Sequence, residues 1–189
     1  MNITEIRWHG RGGQGAKTAA TLVAELALVE GKYSQGFPDY GPERMGAPMR
    51  GFTRISDEPI LMHCAIEHPT VIVVLDDTLL KTVDVCEGTD ASAVIIVNTQ
   101  KNRDIVHGLL SNKNAKLFTI DATGISLDEL KRPIPNTPLI GALIKASNVL
   151  KPETAYHGME KKFGHKFGAK IVEGNIRAIK RAMEEVVSE

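Results

Sequence analysis

Gly10-Arg11-Gly12-Gly13-Gln14-Gly15 follows the apolar run Ile3 to Trp8 and opens a helical pattern that begins at Ala16. A strand feeding a glycine-rich turn into a helix leaves backbone N–H groups exposed at the positive end of the helix dipole, which suits a phosphate or carboxylate. These six residues, with Lys17 as a further source of charge, are the candidate ligand-binding residues. The spacing fits G-x-G-x-x-G, but the dinucleotide fingerprint also expects an acidic residue about 20 residues on. Here Tyr33 to Gln35 leads into a loop whose first acid is Asp39. Read as a P-loop, Ala16 stands where lysine is required, and Lys17-Thr18 sit one place late. Neither nucleotide motif is complete, and the glycines also read simply as a tight strand-to-helix turn.

Outward from this turn the elements alternate. Thr18, Leu22, Ala24, Leu26 and Val29 form the apolar part of a helix that stops at Gly31. Phe52 to Ile55 and Ile60 to His63, separated by Asp57-Glu58-Pro59, predict a hairpin. Val71 to Leu75, Val94 to Val97 and Lys116 to Ile120 are short apolar runs of the kind buried on both faces of a parallel sheet. Helical patterns lie between them at Thr78 to Val85 and Asn102 to Leu110. Three helices then follow: Thr137 to Val149 with Asn136 as cap, Pro152 to Phe163, and Ala169 to Val187. The last places Val172, Ile176, Ile179, Met183 and Val186 on one face, which is expected to pack on the sheet. The reading is an α/β fold: a Rossmann-like, mostly parallel sheet with flanking helices, an inserted β-hairpin and a helical C-terminal third. With 189 residues and no linker-like stretch, one domain over 1–189 is expected.

Charge narrows the function. Lys plus Arg and Asp plus Glu both number 23, so no basic field attracts nucleic acid or anionic lipid. The N-terminus has no signal-peptide core, and no apolar run approaches the 18 or so residues that span a bilayer, so a cytoplasmic protein is expected. Cys64 and Cys86 are isolated and read as buried thiols, without the array that zinc or an iron–sulfur cluster needs. His63, His68, His107, His157 and His165 lack metal-ligand spacing, and His9 reads as a satisfied structural histidine. Asp77 reads as the cap of the helix after Leu75. No catalytic constellation emerges.

Gly36 to Gly51 is unlike the rest: four glycines, three prolines, two arginines and two acids in sixteen residues. It is expected to be an ordered binding loop. Phe37, Tyr40, Glu43, Arg44, Met45 and Arg50 are its candidate interface residues, since aromatics, Met and Arg together mark protein interfaces. Arg44 and Arg50 are also able to hold a carboxylate or phosphate.

IRWHGRGGQGAKTAA, then FPDYGPERMGAPMRGF, then IPNTPLIGAL resemble the gamma subunit of the 2-oxoacid:ferredoxin oxidoreductases, most closely the pyruvate type. The three blocks stand in the family's order, and the resemblance runs from about Ile3 to the C-terminal helix. It implies an anaerobic enzyme that decarboxylates a 2-oxoacid on thiamine diphosphate. Electrons pass through [4Fe–4S] clusters to ferredoxin, and the acyl group goes to coenzyme A. The thiamine signature and the cluster cysteines belong to other subunits, so the resemblance implies alpha, beta and delta partners and a chain inert alone. It further implies that the glycine loop helps to hold coenzyme A. Phe37-Pro38, Gly41-Pro42-Glu43-Arg44 and Gly46-Ala47-Pro48 are more similar to the pyruvate and 2-oxoisovalerate types than to the 2-oxoglutarate type. Met45 stands where a polar or basic residue is expected, so the oxoacid stays open. A free-standing nucleotide-binding protein and a ligand-free adaptor are the other readings.

Overall fold

Residues 3–39, 46–164 and 168–188 are described by the computed structural model. Strand β1 (Ile3–Arg11) runs into the glycine turn and helix α1 (Ala16–Val29), followed by the antiparallel pair β2 (Tyr33–Pro38) and β3 (Pro48–Ser56). Then come β4 (Val71–Val74), a one-turn 3₁₀ segment (Asp77–Lys81), β5 (Val94–Asn98), α2 (Arg103–Leu109), β6 (Lys116–Ile120), α3 (Ala122–Leu130), α4 (Asn136–Ser147), α5 (Pro152–Phe163) and α6 (Ala169–Glu185). The six strands form one sheet in the order β2-β3-β1-β4-β5-β6. The last four in that order are mutually parallel, and β3 lies antiparallel between β2 and β1.

Central position gives β1 two buried faces with different chemistry. Ile6 and Trp8 enter a core shared with α1, α4 and α6, whereas Arg7 and His9, one residue out of phase, point to the other face. That second face holds a smaller core of Ile72, Val74, Ile95, Val97 and Leu117 under Val106 and Leu110. The buried runs Val71–Val74 and Ile95–Val97 have no alternation because helices or packed loop cover both of their sides. Among the described residues no helix is long and apolar enough to cross a membrane.

Several expectations change. The hairpin exists, but its strands are β2 and β3; residues 60–63 form no strand. Residues 57–70 are irregular chain, and the buried Arg54 holds them by donating to the carbonyls of Cys64 at 2.8 Å and Ala65 at 3.2 Å. Cys64 is consequently exposed, while Cys86 is buried as expected. Regular strand takes both ends of Gly36 to Gly51, with Gly36–Pro38 in β2 and Pro48–Gly51 in β3, so the segment is no continuous loop. The helix expected from Thr78 to Val85 shrinks to the 3₁₀ turn, and its cap is Asp76, whose carboxylate accepts from Thr78 N at 3.0 Å. Asp77 instead accepts from Thr99 Oγ1 at 2.6 Å and pairs with Lys101 at 2.8 Å, tying the end of β4 to the end of β5. Pro135, and not Asn136, occupies the N-cap of α4. Helix α6 packs mainly on α4, α3 and α5 rather than on the strands, making a further layer.

Candidate functional site

At the glycine turn, Gly13 (φ 97°) and Gly15 (φ 86°) take left-handed backbone conformations. A side chain is strained in that region, and glycine is not. A Cβ at Gly15 would also stand 2.6 Å from Asn136 Nδ2 of α4, whereas a Cβ at Gly13 would meet nothing within 4 Å. The turn is stitched into its surroundings: Gly12 N donates to Ala47 O (3.0 Å), Gln14 N to Arg11 O (3.1 Å), and Gly46 N to Gly12 O (3.3 Å). Of the four turn residues expected to offer N–H groups to an anion, Gly12 and Gln14 therefore donate inside the protein. The first bond of α1 runs from Ala19 N to Gly15 O, which leaves the N–H groups of Ala16, Lys17 and Thr18 ahead of it at the open end of the helix.

Asp76, at the carboxyl end of β4, anchors the turn from below. Its Oδ2 accepts from Arg11 Nε at 3.2 Å and from Gln14 Nε2 at 2.9 Å, while Arg11 also donates to Thr78 Oγ1 and to the carbonyl of Gly46. Burial opposes ionisation of this carboxyl. Hydrogen bonds from Thr78 and Gln14, together with the Arg11 charge, outweigh it and hold the Asp76 pKa below the ordinary carboxylate value. Arg11 is thus a latch between turn and strand rather than a free cation; Lys17 is exposed beside it.

One side of the site is built by Arg7 and His9. Both are buried, and Arg7 Nε donates to His9 Nε2 at 3.1 Å. Burial, then the charges of Arg7 and Arg50, pushes the His9 pKa from 6.5 down to about 3, against a weaker opposing pull from Asp84. Below pH 6.5 the unfolded chain binds a proton at this histidine that the folded chain refuses. The contribution to stability is whole above pH 6.5 and is lost as pH falls toward 3. Between pH 7.5 and pH 5 this loss is expected to be about 2 kcal/mol. Urea melts of the wild type and of His9→Asn at both pH values check it: the variant's stability should fall by about that much less, and equal slopes would refute the assignment.

These elements enclose a cavity of about 1080 Å³ at the carboxyl ends of β1 and β4. In an open sheet of this order that is where the chain changes direction across the sheet, the position at which ligands bind in α/β folds. Gly12, Gly13, Gly15, Lys17 and Arg50 all line it; Gly10, Arg11 and Gln14 lie behind the wall and support it. Arg50 is paired with Asp39 (2.7 Å) and lies over the Phe52 ring. Phe37 does not line the cavity; it packs on Phe52 at 5.3 Å, with the guanidinium of Arg54 over its ring. Tyr40, Glu43, Arg44 and Met45 lie outside the described residues. The sequence reading assigned no ligand role to His9, Asp76, Asp84 or Glu87. The alternation of β1, which puts Arg7 and His9 on one face, was the available signal for His9. Among the described residues no group of side chains could hold a metal ion.

Residues 5–185 match the family described as pyruvate ferredoxin/flavodoxin oxidoreductase. The chain is similar to pyruvate synthase subunit PorC of Thermotoga maritima, with 48% identity over 182 residues, 96% of this chain and 94% of that one. It is 47% identical to the pyruvate/ketoisovalerate oxidoreductases common subunit gamma of Thermococcus litoralis, covering 98% of each. The crystal structure of pyruvate oxidoreductase subunit PORC from Thermotoga maritima matches this fold with a TM-score of 0.90 at 44% identity, over 100% of this chain and 99% of that one.

Proposed function

The chain belongs to the pyruvate ferredoxin/flavodoxin oxidoreductase family, as a gamma subunit, and we propose that in the assembled enzyme its cavity holds coenzyme A. The observation that carries this reading is the cavity itself: a glycine turn and an open helix end converge on it at the point where the sheet order reverses. The N–H groups at the start of α1, with Lys17, take a phosphate. Gly13 lets it approach, since a Cβ there would project into open space.

The reaction assigned to the whole enzyme is oxidative decarboxylation of a 2-oxoacid, pyruvate first, to the acyl-CoA with ferredoxin as electron acceptor. A [4Fe–4S] cluster takes four thiolates. Cys64 and Cys86 are the two cysteines of the sequence, and the 21 residues between them and the burial of Cys86 do not suit a shared cluster. The clusters and thiamine diphosphate accordingly belong to the alpha, beta and delta partners, and this single-domain chain contributes surface and the coenzyme A wall. Reconstitution with those partners tests the proposal. Pyruvate-dependent reduction of ferredoxin should need both this chain and coenzyme A, and full activity without the chain would overturn it.

The Thermococcus litoralis relative is a subunit common to two oxidoreductases, which favours a second reading in which this chain serves a 2-oxoisovalerate enzyme as well. Assembly with each partner set, followed by a panel of oxoacids, separates the two.

For the subunit interface we propose the segment around Phe37, Tyr40, Glu43, Arg44, Met45 and Arg50. The double variant Tyr40→Ala, Arg44→Ala is expected to weaken assembly at least about tenfold in sedimentation experiments, since aromatic and Arg anchors carry most interface energy. The melting temperature of the free subunit should hold. Normal assembly would remove these residues from the interface.

A further inference from the structure

The ring of His9 lies in the cavity wall although the residue is only 5% exposed. Its Nε2 faces Arg7 Nε at 3.1 Å. A guanidinium only donates, so Nε2 is the accepting nitrogen and the ring proton sits on Nδ1. Arg7 has no freedom to release this arrangement, because its far end donates to the carbonyls of Val85 and Glu87. Among the described residues Nδ1 has no hydrogen-bond partner. That N–H is not among the buried atoms cut off from every partner; it opens on the cavity, where an acceptor entering the site can take it.

The surroundings of His9 differ from those of the glycine turn. Lys17 lies beside the open end of α1; near His9 the cation lining the cavity, Arg50, is already paired with Asp39, and Asp84 and Glu87 line the cavity on the side of the chain whose carbonyls hold Arg7. Carboxylates repel a phosphate and leave a neutral carbonyl unaffected. We propose that His9, fixed by Arg7 as its Nδ1–H form, donates a hydrogen bond to an amide carbonyl in the arm of coenzyme A while the N-terminus of α1 takes its phosphates. This rests on the reading of the cavity as the coenzyme A site. It makes His9 a binding residue and Arg7 a positioning residue, two contacts that the glycine motif does not include.

Calorimetric titration of the assembled enzyme with coenzyme A, pantetheine and adenosine 3′,5′-bisphosphate tests it. His9→Leu should weaken coenzyme A and pantetheine about tenfold, the worth of one lost buried hydrogen bond, and leave the bisphosphate unchanged. His9→Asn, which can present an amide N–H near the place of Nδ1, should recover most of that loss. Gly13→Val should show the reverse pattern, weakening coenzyme A and the bisphosphate and sparing pantetheine. If coenzyme A fails to bind the wild-type enzyme, the cavity reading falls and this inference with it. If coenzyme A binds and Gly13→Val weakens it but His9→Leu does not, the inference alone falls. Equal weakening of all three ligands by His9→Leu would also overturn it, by making His9 a structural residue. Nitrogen NMR of the labelled full chain gives an arm independent of the variants' folding: the wild-type His9 proton should sit on Nδ1 and its resonance should move with pantetheine. In Arg7→Met both tautomers should appear. A proton on Nε2, or a resonance indifferent to pantetheine, refutes the proposal.

Discussion

Gly13→Val in the reassembled oxidoreductase is expected to raise the KM for coenzyme A about tenfold or more, while oxoacid-dependent reduction of the enzyme stays within about twofold. The backbone at Gly13 has φ 97°, so valine adds roughly 1–2 kcal/mol of local strain. A Cβ there meets no protein atom within 4 Å, so the fold has no clash to absorb and the new side chain projects into the space where the proposal puts the phosphate. Stopped-flow measurement of the two half-reactions separates the effects. Gly15→Val is the contrasting variant: its Cβ would press on Asn136 and shift α4, so both half-reactions should suffer. If Gly13→Val also damages both equally, the turn holds subunits together and does not bind coenzyme A.

Arg54→Met is expected to destabilise the subunit by about 3–5 kcal/mol, because removing one partner of a buried ion pair leaves the other charge uncompensated. Arg54 is 1% exposed and reaches Glu5 at 2.7 Å, the carbonyls of Cys64 and Ala65, and Gln35 at 3.3 Å, with its guanidinium over the ring of Phe37. Methionine fills much of the volume and satisfies none of those acceptors. For a chain of this length the loss should lower the melting temperature by about 10 °C. Limited proteolysis should cut within residues 57–65, whose Leu61 and Met62 are already exposed, before it cuts elsewhere. A change below about 1 kcal/mol in urea titration would show that Arg54 closes the segment without supporting it.

The parts of this architecture legible in sequence are those whose signal is local. Val71–Val74, Val94–Val97 and Lys116–Ile120 stood out because burial on both faces demands unbroken apolar runs, and the turn from β1 to α1 because left-handed backbone demands glycine. Strand β2 was hidden: Tyr33-Ser34-Gln35-Gly36-Phe37-Pro38 is an edge strand, half-buried, with Gly and Pro where a central strand would exclude them. Asp57-Glu58-Pro59 imitated a hairpin turn, but the strand partner that the register selects lies upstream, and Ser56 pairs with both Ile3 and Tyr33. Helix α3 was overlooked because its buried side, Ala122, Ile125 and Ser126, makes no clear apolar stripe, although Asp121 accepting from Gly124 N at 2.8 Å is an ordinary capping pattern. In the site, the glycines declared themselves. Asp76, His9, Asn136 and Glu87 did not, because they come from four separate segments and only the folded chain brings them together.

Asp76, Arg11 and Gln14 bear on timing as well as on shape. A phosphate loop that is floppy when empty must order itself at each capture, and that ordering slows entry and weakens affinity together. Here Gln14 is bound to the Arg11 N–H at 2.7 Å and to Asp76 at 2.9 Å, and Arg11 is bound to Asp76 and Thr78, so every one of these partners is the protein's own. The ordering was done once, when the chain folded. For the coenzyme A site proposed above, entry would then be governed by diffusion and by access through the assembled complex, and substitutions in the cavity wall are expected to change how long the ligand stays rather than how fast it arrives. Loosening the latch at Asp76 reverses this, turning a docking site into one that must be re-formed at every turnover.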